Sequence, residues 1–340
     1  MQHSTIGIDL AKHVFEVYVE TERGQVVERR RLSRKKLRGW MANRPPALVG
    51  MEACGGAHYW ARELTKLGHT VRLLAPQYVK PWVQTNKSDR ADARAICRAV
   101  QEPGMRCVSV ATEEQQTVQA LHRVRSRLLR GRTAVVNQLR GLLLEYGVAI
   151  PQGLAPLRKA LTELLTEDRW PGLFRQLLED QRAEWQALDH RIARVTQQLE
   201  RLSQTEPSCV RLQQIPGIGP LSASALWVKL SGQAYTNGRH LAAALGLVPK
   251  HTGTGGKIQL GGISKRGDRY LRRILIHGAC SVISHRREKA DPVSRWVGQL
   301  VACRGMNKAV GALANKNARV AFAVLTGGHA YEGTKMCHVR

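Results

Sequence analysis

The chain has 340 residues with a hydrophobic content of 43%, enough for two or three domains and more than one core. Its 53 Lys and Arg face 26 Asp and Glu, a formal net charge of +27, which predicts salt-sensitive attraction to polyanions, most simply nucleic acid. Its seven cysteines (Cys54, Cys97, Cys107, Cys209, Cys280, Cys303 and Cys337) form no CxxC pair, the opening "MQHSTIGIDL" lacks a secretion signal, and no apolar run approaches membrane-spanning length, so reduced thiols, no membrane partner and a cytoplasmic protein are expected.

The first hundred residues alternate strand and helix signals. "STIGIDLAK" reads as a buried strand that ends in an acid. "HVFEVYVE" alternates Val14, Glu16 and Tyr18 against Phe15, Val17 and Val19, as a half-buried strand does. "GQVVERRRL" can pair beside it, with "ERG" as the turn. A helix near Lys35 to Ala42 leads to the apolar strand "ALVGMEA". The helix "HYWARELTKLG" closes on Gly68, and "HTVRLLAP" is a further buried strand. The next helix opens at "NKSDRADARAI", where Ser88 is the expected cap. This order implies a mixed sheet flanked by helices, an α/β domain.

The middle is helical. Glu113 to Tyr146 has no proline and carries Arg123, Arg125, Arg127, Arg130, Arg132 and Arg140; of these, Arg123, Arg127 and Arg130 share a face suited to phosphates. "VAIPQGLAP" breaks that helix. A second long helix carries Trp185, Leu188, Ile192, Val195, Leu199 and Leu202 at alternating spacings of three and four, a seam for either a hairpin within the chain or a dimer contact.

The last third changes character. "LQQIPGIGPLSASALWVKL" has the form of a helix, a tight turn and another helix. Gly217 and Gly219 leave backbone amides uncovered there, either for phosphate oxygen or simply to make the turn. A short helix, "GRHLAAALGLVP", runs into a loop, "KHTGTGGKIQLGGISKRGD". The helices "RYLRRILIHGACSVISHRR" and "NKAVGALANKNARVAFAVLTGG" follow. His277, Cys280 and His285 lack finger-like metal spacing and are expected in core packing.

Four acids stand where a metal nuclease needs them. Asp9 ends the first strand, Glu52 ends "LVGME", and Asp89 and Asp92 open the helix after the last strand. If the first and fourth strands are neighbours, Asp9 and Glu52 meet. Converging carboxylates repel one another unless hard cations neutralise them, so Mg²⁺, with Mn²⁺ as its substitute, is the expected cofactor. Two such ions about 3.5–4 Å apart serve both the attacking and the leaving oxygen at a phosphate. Glu16 and Glu20 are expected on an exposed strand face, Glu63 on a solvated helix face, and Glu113 and Glu114 at a helix start.

Together, "GIDLAK", "MEACGGAHYWARELTKLGHTVRLLAP", "NKSDRADARAI", "IPGIGP", "LGLVPKHTGTGGKIQLGGISKRGDRYLRR" and "ALANKNARVAFAVL" resemble the DEDD transposases of the IS-one-ten class, above all its IS-eleven-eleven branch, and the related Piv DNA invertases. The resemblance runs essentially end to end. It implies a RuvC-like, RNase H-fold catalytic domain over 1–112, a helical coiled-coil segment over 113–204, and a mainly helical C-terminal transposase domain with a helix-hairpin-helix-like motif over 205–340. It also implies a bacterial enzyme, nucleoid-associated when active, that moves an insertion sequence. A structured guide (bridge) RNA from the element's non-coding end would choose donor and target DNA. The family's acidic tetrad falls on Asp9, Glu52, Asp89 and Asp92.

In that family a serine of the glycine-rich loop forms a covalent link to DNA phosphate; the matching position here is Thr254. Its extra methyl crowds an in-line attack, and Thr252 and Ser264 are nearby alternatives. Lys257, Lys265 and Arg266 would hold phosphates near it. The heptad seam and the need to hold two DNA partners favour a homodimer or homotetramer.

Two other readings compete with an RNA-guided recombinase. A structure-selective nuclease such as a junction resolvase would need only the acids, and has no use for a hydroxyl-bearing loop or a second basic domain. A decayed nucleic-acid-binding scaffold would fit the Thr254 departure, but not the intact tetrad.

Overall fold

Alternation along three strands decides how the first part of the molecule is layered. The computed structural model describes residues 4–83, 88–231, 235–255, 257–285, 291–328 and 331–332; Asn86, Lys87, Gly256, Arg286, Arg287 and Cys337 lie outside them. The chain divides into two compact units, Met1–Gln115 with Lys229–Thr236, and Gln116–Val228 with Asn237–Arg340.

In the first unit β1 (Ser4–Leu10), β2 (Val14–Thr21) and β3 (Val26–Ser33) form an antiparallel meander, followed by α1 (Arg34–Ala42). Next come β4 (Leu48–Glu52), α2 (Ala57–Lys66), β5 (Thr70–Leu74), α3 (Pro76–Val79) with a 3-10 turn at Lys80–Trp82, α4 (Asp89–Gln101) and the edge strand β6 (Cys107–Val108). The sheet order is β3-β2-β1-β4-β5-β6, with β1, β4 and β5 parallel. This is the mixed α/β sheet expected from the sequence, with β1 beside β4.

Side chains alternate across a strand. Ile6 and Ile8 of β1, Phe15, Val17 and Val19 of β2, and Val49 and Met51 of β4 form one core with Leu37 and Met41 of α1 and Trp60, Ala61 and Leu64 of α2. The intervening residues, Gly7 and Asp9, Glu16, Tyr18 and Glu20, and Gly50 and Glu52, therefore belong to the opposite face. There α4 packs, so the supposedly solvated side of β2 is covered. Glu20 is only 2% exposed and stands 3.6 Å from Arg98 of α4, while Glu16 is half-buried and 3.4 Å from Arg31. Both correct the expectation of exposed acids. Glu63 is likewise held, by Lys66 and Arg38, and its carboxyl lies below the usual range because Lys66 donates to it. The strand at "HTVRLLAP" is buried only at Leu73 and Leu74, since on the side away from β4 only the two-residue β6 flanks it.

The second unit contains α5 (Glu113–Glu145), α6 (Leu154–Leu164), α7 (Gly172–Thr205), α8 (Pro207–Gln213), α9 (Pro220–Leu230), α10 (Gly238–Ala244), the hairpin β7 (Pro249–Thr252) and β8 (Gln259–Ile263), then α11 (Arg269–Ser284), α12 (Pro292–Arg304) and α13 (Met306–Gly327). Arg125 donates to Thr196 and Arg132 pairs with Asp189, so α5 and α7 run antiparallel within one chain. The seam residues Trp185, Ile192, Val195 and Leu199 are buried without a second copy, the hairpin alternative of the two weighed above. Asp189 also pairs with Arg158 of α6, a helix the sequence did not announce.

His122 of α5 joins α9 and α11. Burial, with Arg125 beside it, pushes its imidazole down to about 4, so the ring is neutral. Ser224 donates to the Pro220 carbonyl, 2.9 Å away; this leaves its oxygen to accept from Nε2 at 3.1 Å and the Tyr270 hydroxyl to donate to Nδ1 at 2.8 Å. His277 and His285 are exposed on α11, and Cys280 is half-buried. The two histidines are surface residues rather than core ones, because α11 turns Leu271, Leu275, Ala279 and Ile283 inward. Among the described residues no helix is long and apolar enough to cross a membrane.

Candidate active site

The acids of the first unit converge because two glycines let a helix sit directly on the sheet. Gly7 and Gly50 are register partners on β1 and β4. A Cβ on Gly7 would stand 2.3 Å from the Ala93 carbonyl oxygen and 2.5 Å from the Cys97 amide nitrogen of α4; one on Gly50 would stand 2.9 Å from Val100. No side chain larger than hydrogen fits at Gly7 while α4 keeps that seat. Asp9 and Glu52 follow these glycines by two residues, so each lies on the α4 face of its strand. In the sequence, the signal for this close seat is a glycine two residues before each acid in an apolar strand.

The start of α4 is fixed locally. Ser88 accepts at its hydroxyl oxygen from the Ala91 amide, 3.3 Å away, and Asp89 and Asp92 occupy the first turns, where the positive end of the helix dipole favours anions. Ala93, Ile96, Cys97 and Val100 face inward and the Cys97 thiol donates to the Thr5 carbonyl at 3.4 Å, which ties the helix to β1.

Asp9 reports the convergence. Its carboxyl is pushed up from 3.8 to about 6, first by burial and then by Asp92, Asp89, Glu52 and Glu16. Glu16, expected on an exposed strand face, faces Asp9 across the β1–β2 ladder and is a fifth acid. The Cys54 thiol is held neutral by burial and by Asp9 and Glu52, so it adds no soft thiolate. An all-oxygen, mutually repelling set suits a hard divalent cation such as Mg²⁺ rather than zinc. As the side chains stand, no three of the described His, Cys, Asp or Glu residues close on one point. The arrangement is an electrostatic cluster, wider than a finished ligand shell.

The remaining candidates lie in the second unit. Arg123, Arg127 and Arg130 are exposed along α5, whereas Arg125, Arg132 and Arg140 are turned to protein partners: Thr196, Asp189, and the Pro151 and Gly153 carbonyls. Gly217 takes φ 88° and packs on α11, where its carbonyl oxygen would lie 1.9 Å from a Cβ on Gly278. Packing thus accounts for Gly217, while Gly219 is exposed and faces open space. Asn317 of α13 donates to the Pro216 carbonyl at 2.8 Å and Asn315 to that of Leu247 at 3.1 Å, a structural use for the "NKN" of the last helix.

The glycine-rich loop is instead a β-hairpin. Its strands are exposed and short, without the alternation that marks a half-buried strand. Thr254 sits exposed in its connection, its carbonyl accepting from the Lys257 amide at 3.2 Å. Thr252 donates to the Gln259 carbonyl, and Ser264 stands at the hairpin base, its amide bonded to Val248. Lys257, Lys265 and Arg266 are exposed. The base is held by Arg272, 8% exposed, whose guanidinium donates to the Leu245 and Arg266 carbonyls at 2.8 and 2.9 Å.

Comparison with known proteins gives the class first. The model for DEDD transposases of the IS110 group matches residues 6–148, the sheet-bearing part together with α5. A second model, described as the transposase IS116/IS110/IS902 family, matches residues 209–294. A probable family 20 transposase from Pseudomonas aeruginosa is 48% identical over 96% of this chain and 98% of its own length. The transposase for insertion sequence element IS1328 from Yersinia enterocolitica is 40% identical (95% and 97% covered), and that for IS1111A from Coxiella burnetii 39% identical (96% and 90%). The chain belongs to the IS110 family, the IS-one-ten class of the sequence reading, and is an insertion-sequence transposase, an enzyme that cleaves and recombines DNA.

Proposed function

We infer that this transposase is a divalent-metal-dependent recombinase that exchanges DNA strands through a protein–DNA ester, directed to donor and target DNA by a guide (bridge) RNA from the element's non-coding end. The observation that carries this reading is the placement of Asp9 and Glu52 on neighbouring parallel strands beneath α4, which opens with Asp89 and Asp92; the Asp9 carboxyl is raised first by burial and then by these acids. The strand order, with β1 central and β4 parallel to it, supports an RNase H-like, RuvC-like domain over 1–112. The segments 113–204 and 205–340 are read as the coiled-coil and C-terminal transposase parts, and the working form as a homodimer or homotetramer holding two DNA partners.

Asp9, Glu52, Asp89 and Asp92 would hold Mg²⁺ or Mn²⁺, which supplies Lewis acidity and charge neutralisation at a scissile phosphate. In this reading the Thr254 hydroxyl attacks the phosphorus and gives its proton to solvent. The phosphate's bond to one deoxyribose oxygen breaks, and that oxygen takes up a proton and leaves as a strand-end hydroxyl. The other strand end stays esterified to Thr254 until a hydroxyl from a second strand attacks the same phosphorus and releases the threonine. The count of phosphate esters is conserved, so no hydrolysis or added energy source is required. Lys257, Lys265 and Arg266 are assigned to the charge on the transferring group, and Arg123, Arg127, Arg130, Gly217 and Gly219 to nucleic-acid backbone.

Substitutions at two positions test the reading. Asp92→Asn is expected to abolish strand cleavage by at least a hundredfold, with thermal unfolding and DNA binding retained; loss of folding in place of chemistry would reduce the aspartate to a helix-start residue. Thr254→Ala is expected to lose covalent protein–DNA product on denaturing gels while Thr254→Ser keeps or raises it; unchanged product in the alanine variant moves the nucleophile elsewhere. Sequencing of copurifying RNA tests the guide.

A further inference from the structure

Beside the acids, on the same α4-covered face, lies a small pocket with the opposite charge. Tyr18, Arg29, Trp82, Ser88, Arg90, Ala91 and Arg94 line a cavity of about 190 Å³. Tyr18 follows Glu16 by two residues along β2, so the pocket begins about 7 Å from the side chain that faces Asp9. Its far wall is α4, the helix that carries Asp89 and Asp92.

Three features of this pocket are unexplained by the fold. Among the described residues, no carboxylate pairs with Arg29, Arg90 or Arg94, whereas Arg31 and Arg98 nearby each have one. Three guanidiniums around one small cavity repel one another, and a neutralising anion is missing from the protein itself. Tyr18 is 3% exposed, yet its hydroxyl finds no hydrogen-bond partner, and neither does the buried Nε of Arg94. A buried polar group left unmatched is destabilising, and such groups point to a ligand that completes them. The walls also include aromatic side chains: Tyr18 lies under the Arg29 guanidinium at 5.2 Å, and Trp82 is a further lining residue. The volume is below that of a cofactor pocket, and suits part of one nucleotide.

The geometry points to a subsite for a single-stranded DNA nucleotide next to the scissile phosphate, its phosphate taken by Arg29, Arg90 and Arg94 and its sugar or base lying against Tyr18 and Trp82. This rests on the reading of the acids as a DNA-cleaving site. Extended strand is favoured over duplex, because a cavity of this size takes part of one splayed nucleotide and not a base pair. DNA is favoured over RNA because the acids beside the pocket are those assigned to DNA.

The full-length protein is titrated, with chelator present, against fluorescein-labelled single-stranded DNA of the element's end, the matching duplex, and RNA of the same sequence. Arg29 and Arg90 are exposed, so Arg29→Ala and Arg90→Ala will fold. Arg30→Ala is the control, since Arg30 is equally exposed but points to the other face of β3. Each pocket variant is expected to bind the DNA strand about five- to tenfold more weakly and to lower the slope of log affinity against log salt by about 0.7. Tyr18→Phe is expected to keep or raise the thermal midpoint and still lose a few-fold in affinity, which a merely structural tyrosine would not do. Equal DNA binding by Arg29→Ala, Arg90→Ala, Tyr18→Phe and Arg30→Ala would overturn the subsite, as would a loss confined to RNA. Because binding is read without cleavage, failure here leaves the Asp92→Asn result standing. Retained cleavage by Asp92→Asn, equally, leaves the binding result intact.

Discussion

At the scale of single residues the free enzyme carries an electrostatic penalty at Asp9. An aspartate ionises near 3.8, and Asp9 near 6. Between these values the folded chain holds a proton that the unfolded chain has lost, so stability falls as pH rises through the window. Above about pH 6 the penalty is present in full. The shift corresponds to about 3 kcal/mol at face value and about 1–2 kcal/mol once the half-exposed position is discounted for solvent screening. Asp9→Asn removes it. Without divalent ions the variant is expected to unfold a few degrees above the parent at pH 8, and the gap to shrink to about a third at pH 4.5. Thermal scans at the two pH values check this. Adding Mg²⁺ should raise the parent's midpoint and leave the variant's in place; equal rises in both would remove Asp9 from the cation's ligands. A more stable but inactive variant is the pattern of a site that keeps strain for function.

At the scale of elements, what matters is how closely α4 lies on β1 and β4. Gly7→Ala would drive a methyl into the Ala93 and Cys97 backbone, and backbone atoms in a helix have nowhere to retreat. The expected cost is about 1–3 kcal/mol or more, with α4 displaced and cleavage reduced even if the fold survives. Gly50→Ala meets only the Val100 and Ile96 side chains, at 2.9 to 3.1 Å, and should cost less. Unfolding midpoints and cleavage rates of the pair check the ranking; a Gly7→Ala protein as stable as the parent would mean that α4 is not seated this way. These elements also explain what was legible in advance. The strands were readable because Phe15, Val17 and Val19 alternate and because "LVGME" is apolar up to its acid. With β1 and β4 as neighbours, Asp9 and Glu52 follow. Burial of Glu20 was not readable, since its partner Arg98 comes from α4, far along the chain, and Glu16 is half-buried beside Arg31 of the next strand. Nor was the β7–β8 hairpin, whose exposed strands leave no hydrophobic period to detect. The Gly217 turn was ambiguous for a related reason. Its demand for glycine is set by Gly278 on a helix that only the fold brings alongside.

At the scale of the whole molecule a net charge of +27 must act in two directions. Within the free chain like charges repel, so added salt screens that repulsion and is expected to raise the thermal midpoint. Toward DNA the same charges release condensed counterions on binding, so salt opposes association. A chain that neutralises about 6–10 phosphates loses about 10³–10⁵ in affinity between 50 and 200 mM salt. The exposed arginines of α5 and the cations around the β7–β8 hairpin make that number of contacts reachable without drawing on the acids. Thermal scans of the free protein and anisotropy titrations with DNA, run over one salt series, should therefore move in opposite directions. A fall in affinity of less than tenfold would correspond to about two phosphates or fewer, and would leave the α5 stripe a solvated face of the helical hairpin. A midpoint that falls as salt rises would instead mean that ion pairs such as Arg132 with Asp189 outweigh the repulsion between unpaired cations.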